Sequence, residues 1–159
     1  MILIRPARPD EFERVADILT AAYAPFMSDD ADYMAELRDT AKRAAASEVL
    51  VAAEGEAVLG TITFVPDGGL MSEVARPGET EFRMFGVDPA TRGRGIGLAL
   101  MTHIVEATRG AGKSGIACSS RAEMTAAHRI YERLGFRRDP SRDWSPVPGI
   151  DLLAFALTF

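Results

Sequence analysis

The stretch that most constrains this chain is Val87-Asp88-Pro89-Ala90-Thr91-Arg92-Gly93-Arg94-Gly95-Ile96-Gly97-Leu98. A strand-like segment over residues 81–87 runs into a loop with three alternating glycines, and an apolar helix follows from about Gly95 to Arg109. Glycine lets main-chain amides approach a bulky anion with no Cβ in the way. A helix start adds N–H groups without intrahelical acceptors, together with the positive end of the helix dipole. Arg92 and Arg94 can supply charge-assisted hydrogen bonds. The segment reads as a phosphate cradle built from Arg92, Gly93, Arg94, Gly95, Ile96 and Gly97.

Two nucleotide motifs come close and fail. The dinucleotide fingerprint needs its third glycine at position 98, which is Leu98. Gly110-Ala111-Gly112-Lys113-Ser114 ends like a P-loop, but the motif's leading glycine would fall at Ala107. Its order is also reversed, because a helix precedes it and a strand follows. A glycine-rich turn is the better reading.

Composition narrows the class further. The chain has 159 residues, 47% hydrophobic and 26% charged, which suits one folded domain spanning 1–159. One cysteine, Cys118, and two distant histidines, His103 and His128, argue against a disulfide framework and a metal cluster. A net charge of −5 gives no general attraction to nucleic acid. No apolar run approaches the roughly 20 residues of a membrane span, and the first residues carry no signal-peptide pattern, so a cytoplasmic location away from membranes is expected.

Periodicity supplies the elements. Ile2–Ile4 reads as a strand, followed by a helix with Asp10 as N-cap and Glu13 as its capping-box partner. A single second helix is predicted over 31–46. Strands follow at 49–53 and 57–65, then a Gly- and Pro-rich loop over 67–78. A short strand at 116–119 leads to a helix over 125–134, capped by Gly135. Strands begin at Phe136 and at Leu152, giving a mixed α/β sheet.

Val87-x-Pro89 with Arg92-Gly93-x-Gly95-Ile96-Gly97 resembles the acetyl-coenzyme A signature of the GNAT family of N-acetyltransferases. Its pattern of Arg or Gln, two residues, Gly, one residue, Gly or Ala is met by Arg92, Gly95 and Gly97. Ala127-His128-Arg129-Ile130-Tyr131-Glu132-Arg133-Leu134-Gly135-Phe136 resembles the family's later helix, which ends in Tyr-x-x-x-Gly-Phe. The resemblance implies a mixed, mostly antiparallel sheet with helices on both faces and a splayed strand pair that takes up the cofactor. It further implies acetyl-CoA as cosubstrate, a small-molecule or peptide amine as acceptor, and direct attack in a ternary complex. One departure is Met124, where many members carry Asn; methionine cannot make that amide's hydrogen bonds.

Carried over residue by residue, the main chain of Phe85 and Val87 would meet the pantetheine arm, with Gly86 as a bulge or simply a strand glycine. Tyr131 matches the tyrosine that hydrogen-bonds the leaving thiolate; its alternative is an aromatic packed on the sheet. An alkylamine with a pKa of about 10 must lose a proton before attack. A base or a water chain must take that proton; Glu81 is the candidate base, or else a solvated carboxylate pairing with Arg83. An acyl-cysteine at Cys118 aided by His128 has no support in spacing. Trp144 and Asp143, in the Pro-rich connection 139–149, either border the acceptor pocket or belong to a loop pinned by Trp144. The competing class is a non-catalytic acetyl-CoA-binding regulatory module of the same fold. Pairing through sheet edges leaves a homodimer open.

Overall fold

Strand patterning explains why helices cover the sheet on both sides. β2 (Glu48–Glu54) and β3 (Ala57–Val65) pair antiparallel around a tight turn at Gly55, which has φ 60°. Along β2, Leu50 and Ala52 join one apolar cluster and Val49 and Val51 the other. Such two-sided burial needs a helical layer on each face. The computed structural model, which describes all of residues 1–159, has that arrangement.

α1 (Phe12–Met27), α2 (Ala31–Arg38) and α3 (Thr40–Ala46) lie on one face. There Val15, Ile18 and Leu19 pack with Val49, Val51 and Met84. α4 (Ile96–Gly110) and α5 (Thr125–Arg133) cover the other, where Leu100, Met101 and Ile104 meet Leu50, Ile62 and Phe82. The remaining strands are β1 (Leu3–Pro6), β4 (Glu79–Val87), β5 (Gly115–Ser120), β6 (Arg137–Arg138), β7 (Trp144–Val147) and β8 (Ile150–Thr158). Their order is β1-β2-β3-β4-β5-β8-β6, with β7 paired to β8. Every pairing is antiparallel except β4 with β5. No helix is long and apolar enough to cross a membrane.

Three local expectations need correction. The predicted helix 31–46 is two helices, because Asp39 leaves helical geometry (φ −89°, ψ 65°) and caps α3 by accepting from the Lys42 amide at 3.2 Å. The first helix is not capped by Asp10 with Glu13. A 3-10 turn over Pro9–Glu11 precedes it, and the Glu11 carboxylate accepts the Arg8 amide at 2.9 Å. Residues 144–147, read as loop, form β7 in a hairpin with β8; its Pro146 stands on an edge strand, where a missing N–H is tolerated.

Glu11 also accepts from both terminal nitrogens of the Arg5 guanidinium, at 2.8 Å each, tying β1 to the start of α1. Its side chain is only 10% exposed. The Arg5 hydrogen bonds, aided by the Arg8 amide, pull its pKa down from 4.5 to about 2. A carboxylate acidified by folding stabilises the fold above its unfolded pKa and loses that contribution as pH falls toward 2. Glu11→Gln should therefore cost up to about 3 kcal/mol near neutral pH. In urea titrations the gap to wild type should close between about pH 4.5 and 2; a gap independent of pH would reject the assignment.

Candidate active site

Two neighbouring strands part company at the centre of the sheet. β4 and β5 pair only through Glu79–Glu81 and Gly115–Ala117. Beyond that point β5 stays with β8 as far as Ser120, while β4 stays with β3 as far as Val87. A bulge bends β4 away: Thr61 opposes Gly86 and Thr63 opposes Arg83, so Ile62 faces both Met84 and Phe85. Met84, at φ 49°, is the one non-glycine residue with positive φ. Such backbone costs on the order of 1–3 kcal/mol and persists only where its surroundings hold it.

The sequence placed this bulge at Gly86, and the structure moves it to Met84. Gly86 serves packing instead: a Cβ there would stand 3.2 Å from Leu19 Cδ2 and from Ala22 Cβ of α1. Phe85 lines the cavity between the strands, and its amide donates to the Tyr23 hydroxyl at 3.0 Å. Val87 closes the strand opposite Gly60.

The glycine loop lies at the open end of the gap. Gly93 (φ 83°) and Gly95 (φ 75°) are left-handed, and the space beside each is empty. The amides of Gly95, Ile96, Gly97 and Leu98 find no acceptor within the fold; the first helical bond runs from Ala99 to the Gly95 carbonyl at 3.0 Å. Four free donors at the positive end of a 15-residue helix suit a pyrophosphate. Gly97 has a different task, since a Cβ there would come within 3.0 Å of Ile130 Cδ1 and 3.1 Å of Phe85 Cζ. Arg92 is exposed without an ion pair, whereas Arg94 is bound to Glu54 at 2.7 Å.

A cavity of about 290 Å³ occupies the parting, with Phe82, Phe85 and Tyr131 toward α5 and Tyr23, Tyr33, Glu73 and Arg83 toward α1 and α2. Tyr131 is held by Phe82, Phe136 and Phe155 at centroid separations of 5.4, 5.9 and 5.3 Å. Burial pushes its pKa well above the usual phenol value, so it stays a hydrogen-bond donor. The α5 terminus fixes it from below: Gly135 (φ 96°) lets the Phe136 amide reach the Tyr131 carbonyl at 2.9 Å and its own amide reach Glu132 at 3.0 Å.

Glu81 does not face this cavity. It is 1% exposed, and its carboxylate accepts the amides of Glu73, Val74 and Ala75 at 2.9 Å each and the Ser72 hydroxyl at 3.1 Å. It lies outside the cavity lining and makes no ion pair with Arg83, whose partner is Glu73. It anchors the loop between β3 and β4, and that loop delivers another carboxylate, Glu73, to the cavity. Glu73 pairs with Arg83 at 3.0 Å, and burial raises its pKa. Sequence reasoning missed Glu73 because only the folded loop carries it inward.

Other expectations resolve in the same way. Asp143 is spent on Arg138, with two contacts of 2.8 Å, and on the Ala154 amide; Trp144 donates to Ser119 at 3.2 Å. Neither lines the cavity; the connection reaches it instead through Pro146 and Val147 of β7, with Ile150 of β8. Cys118 is buried with its thiol pKa pushed up, while His128 pairs with Ser120 at 3.0 Å, which gives an acyl-cysteine no geometry. Met124 starts α5 without a side-chain cap and lines the cavity.

Residues 12–136 match the model of the family described as "Acetyltransferase (GNAT) family". The chain is 36% identical over 70 residues to N-acetylaspartate synthetase of Danio rerio, covering 44% of this chain and 25% of that protein. It is 32% identical over 93 residues to the Rattus norvegicus N-acetylaspartate synthetase, covering 55% and 31%. The chain thus matches about a quarter to a third of these relatives' length. Among solved structures, a GNAT family acetyltransferase from Brucella melitensis in complex with acetyl-CoA superposes with a TM-score of 0.66 at 26% identity, over 100% of this chain and 88% of that one. With the parted strands, the free amides at α4 and a family match over most of its length, this chain belongs to the GNAT acetyltransferase family.

Proposed function

We propose that residues 1–159 act as one catalytic domain, moving an acetyl group from acetyl-CoA to a primary amine while both are bound. The observation that carries this reading is a single cavity holding the donor tyrosine, Tyr131, beside strand edges left unpaired. The amides of Gly95, Ile96, Gly97 and Leu98 would take the pyrophosphate, with Arg92 and Gly93 at the loop and Arg94 already shared with Glu54. Main-chain groups of β4 from Phe85 to Val87 would meet the pantetheine, apart from the Phe85 amide, which donates to the Tyr23 hydroxyl. An N-acetylated amino acid in the names of both curated relatives agrees with an amine acceptor.

The amine nitrogen attacks the thioester carbonyl carbon; the new C–N bond forms, the C–S bond breaks, and sulfur leaves as thiolate. Full proton transfer from a phenol to a thiolate is uphill by roughly 2 kcal/mol on unperturbed pKa values of about 10 and 8.5. Tyr131 therefore acts by donating a hydrogen bond to the forming thiolate. Glu73, whose raised pKa brings it nearer the working range of a base, takes the proton the ammonium sheds before attack, and the second N–H proton, lost once the C–N bond has formed, ends on the thiolate to give the coenzyme A thiol. Bringing both reactants into one cavity supplies the rest through proximity.

Acetyl-CoA at about 100 times its dissociation constant should stabilise the protein by roughly 2.7 kcal/mol, read by thermal shift. No shift would end the proposal. Gly95→Val places a branched side chain at φ 75° over the free amides and should weaken coenzyme A binding at least about tenfold by calorimetry, on the roughly 1.4 kcal/mol that such strain brings. Tyr131→Phe should lower kcat by about 10- to 100-fold with coenzyme A affinity unchanged, the scale of one lost transition-state hydrogen bond. Glu73→Gln should abolish the acid limb of the kcat/KM profile; a limb that survives would assign the proton to another group.

A further inference from the structure

A hydroxyl and an imidazole stand at the cavity wall without a role in the chemistry above. Ser120, the last residue of β5, lines the cavity and is 7% exposed. Its Oγ lies 3.0 Å from Nε2 of His128 on α5, with a longer contact of 3.3 Å to the Arg121 carbonyl. Strand alternation sets up this pairing. Ile116 and Cys118 pack with Tyr131 and Phe155 on the α5 side, so Ser120 turns the same way. Ser119 takes the opposite face, where Trp144 donates to it. The imidazole is seated against aromatic rings, with centroids 4.7 Å from Phe155 and 5.8 Å from Tyr131. His128 itself does not line the cavity, which leaves Ser120 as its contact with that space.

Serine is a weak nucleophile until a neighbouring base takes its proton, and this separation falls within the roughly 2.6–3.2 Å of such pairs. Burial lowers the His128 pKa from its ordinary value, so the ring is neutral and able to accept near pH 7. In the tautomer with its proton on Nδ1, Nε2 is the acceptor for the Ser120 hydroxyl. Tyr131, one helical turn further along α5, already offers a hydrogen bond to a departing thiolate. The partnership that Cys118 lacks is therefore present two residues beyond it.

We infer that the domain has a second activity, hydrolysis of acetyl-CoA through an acetyl-Ser120 intermediate with His128 as its base. This rests on the acetyltransferase reading for the bound thioester, and it operates when no amine occupies the cavity. Ser120 Oγ attacks the thioester carbonyl carbon as its proton passes to Nε2. The C–S bond breaks, and the thiolate takes the Nε2 proton to leave as coenzyme A thiol. Water then attacks the ester carbonyl and gives a proton to Nε2. The ester C–O bond breaks, the Nε2 proton returns to Oγ, and acetic acid departs to ionise in solvent.

The test incubates the unaltered protein with acetyl-CoA in an amine-free phosphate buffer and follows thiol and acetate release. Acid quenching and peptide mass mapping locate any acetyl group. Equal yields of thiol and acetate, with the acetyl group on Ser120, are expected. Ser120→Ala should lose both the adduct and acetate release while still showing the thermal shift with acetyl-CoA. His128→Gln should slow acetylation of Ser120 by about 100-fold or more, the scale of a lost general base. Ser120→Cys keeps a nucleophile and should hold the acetyl group as a thioester that neutral hydroxylamine removes, even where the serine ester turns over too fast to trap. Acetylation confined to Cys118 or a lysine, or hydrolysis undiminished in Ser120→Ala, would overturn the inference. So would a protein that shifts with acetyl-CoA but releases no thiol without an amine. That last result leaves transfer to amines standing, whereas absence of the thermal shift removes both readings.

Discussion

A sheet interior tolerates unpaired main-chain groups badly, and in this protein two adjacent strands stop pairing after three residues. That constraint organises what surrounds it. The strand on one side is bent by a left-handed Met84, and the strand on the other is held straight by its antiparallel neighbour. Helices approach the gap from both faces: α1 across Gly86, where no Cβ fits comfortably, and α4 and α5 through Gly97 and Ile130. The opening is thus braced by close packing from both faces of the sheet.

The loop between β3 and β4 is organised by a buried carboxyl group, Glu81, that lies outside the cavity lining. Glu81 gathers three consecutive amides and a hydroxyl, which stand in for water around a carboxyl group at 1% exposure. The loop it fixes then offers Glu73 to Arg83 across the cavity. Division of labour between the two glutamates follows from solvation: one is saturated by the backbone and the other faces a single cation.

Signals confined to a few consecutive residues were legible in the sequence. The glycine loop before an apolar helix, Gly135 after Tyr131-x-x-x, and the turn at Gly55 each encode their geometry locally, and each forms. Features decided by distant partners were not. Gly86 looks like a bulge until α1 is seen pressing on it, and Glu81 looks available until residues 72–75 fold over it. Asp39 splits a helix that its alanine-rich neighbours would continue, because its side chain caps the next turn. Trp144 and Asp143 suggested a pocket by composition, yet contacts with Ser119 and Arg138 hold them in the scaffold.

Tyr131 illustrates what that scaffold accomplishes. Its carbonyl is fastened by the Phe136 amide, and its ring is wedged among Phe82, Phe136 and Phe155. A phenol confined in this way has surrendered its rotational freedom during folding, long before any substrate arrives. The entropy of fixing the ring is thus charged to the stability of the fold, and whatever enters the cavity meets a phenol whose position is already set.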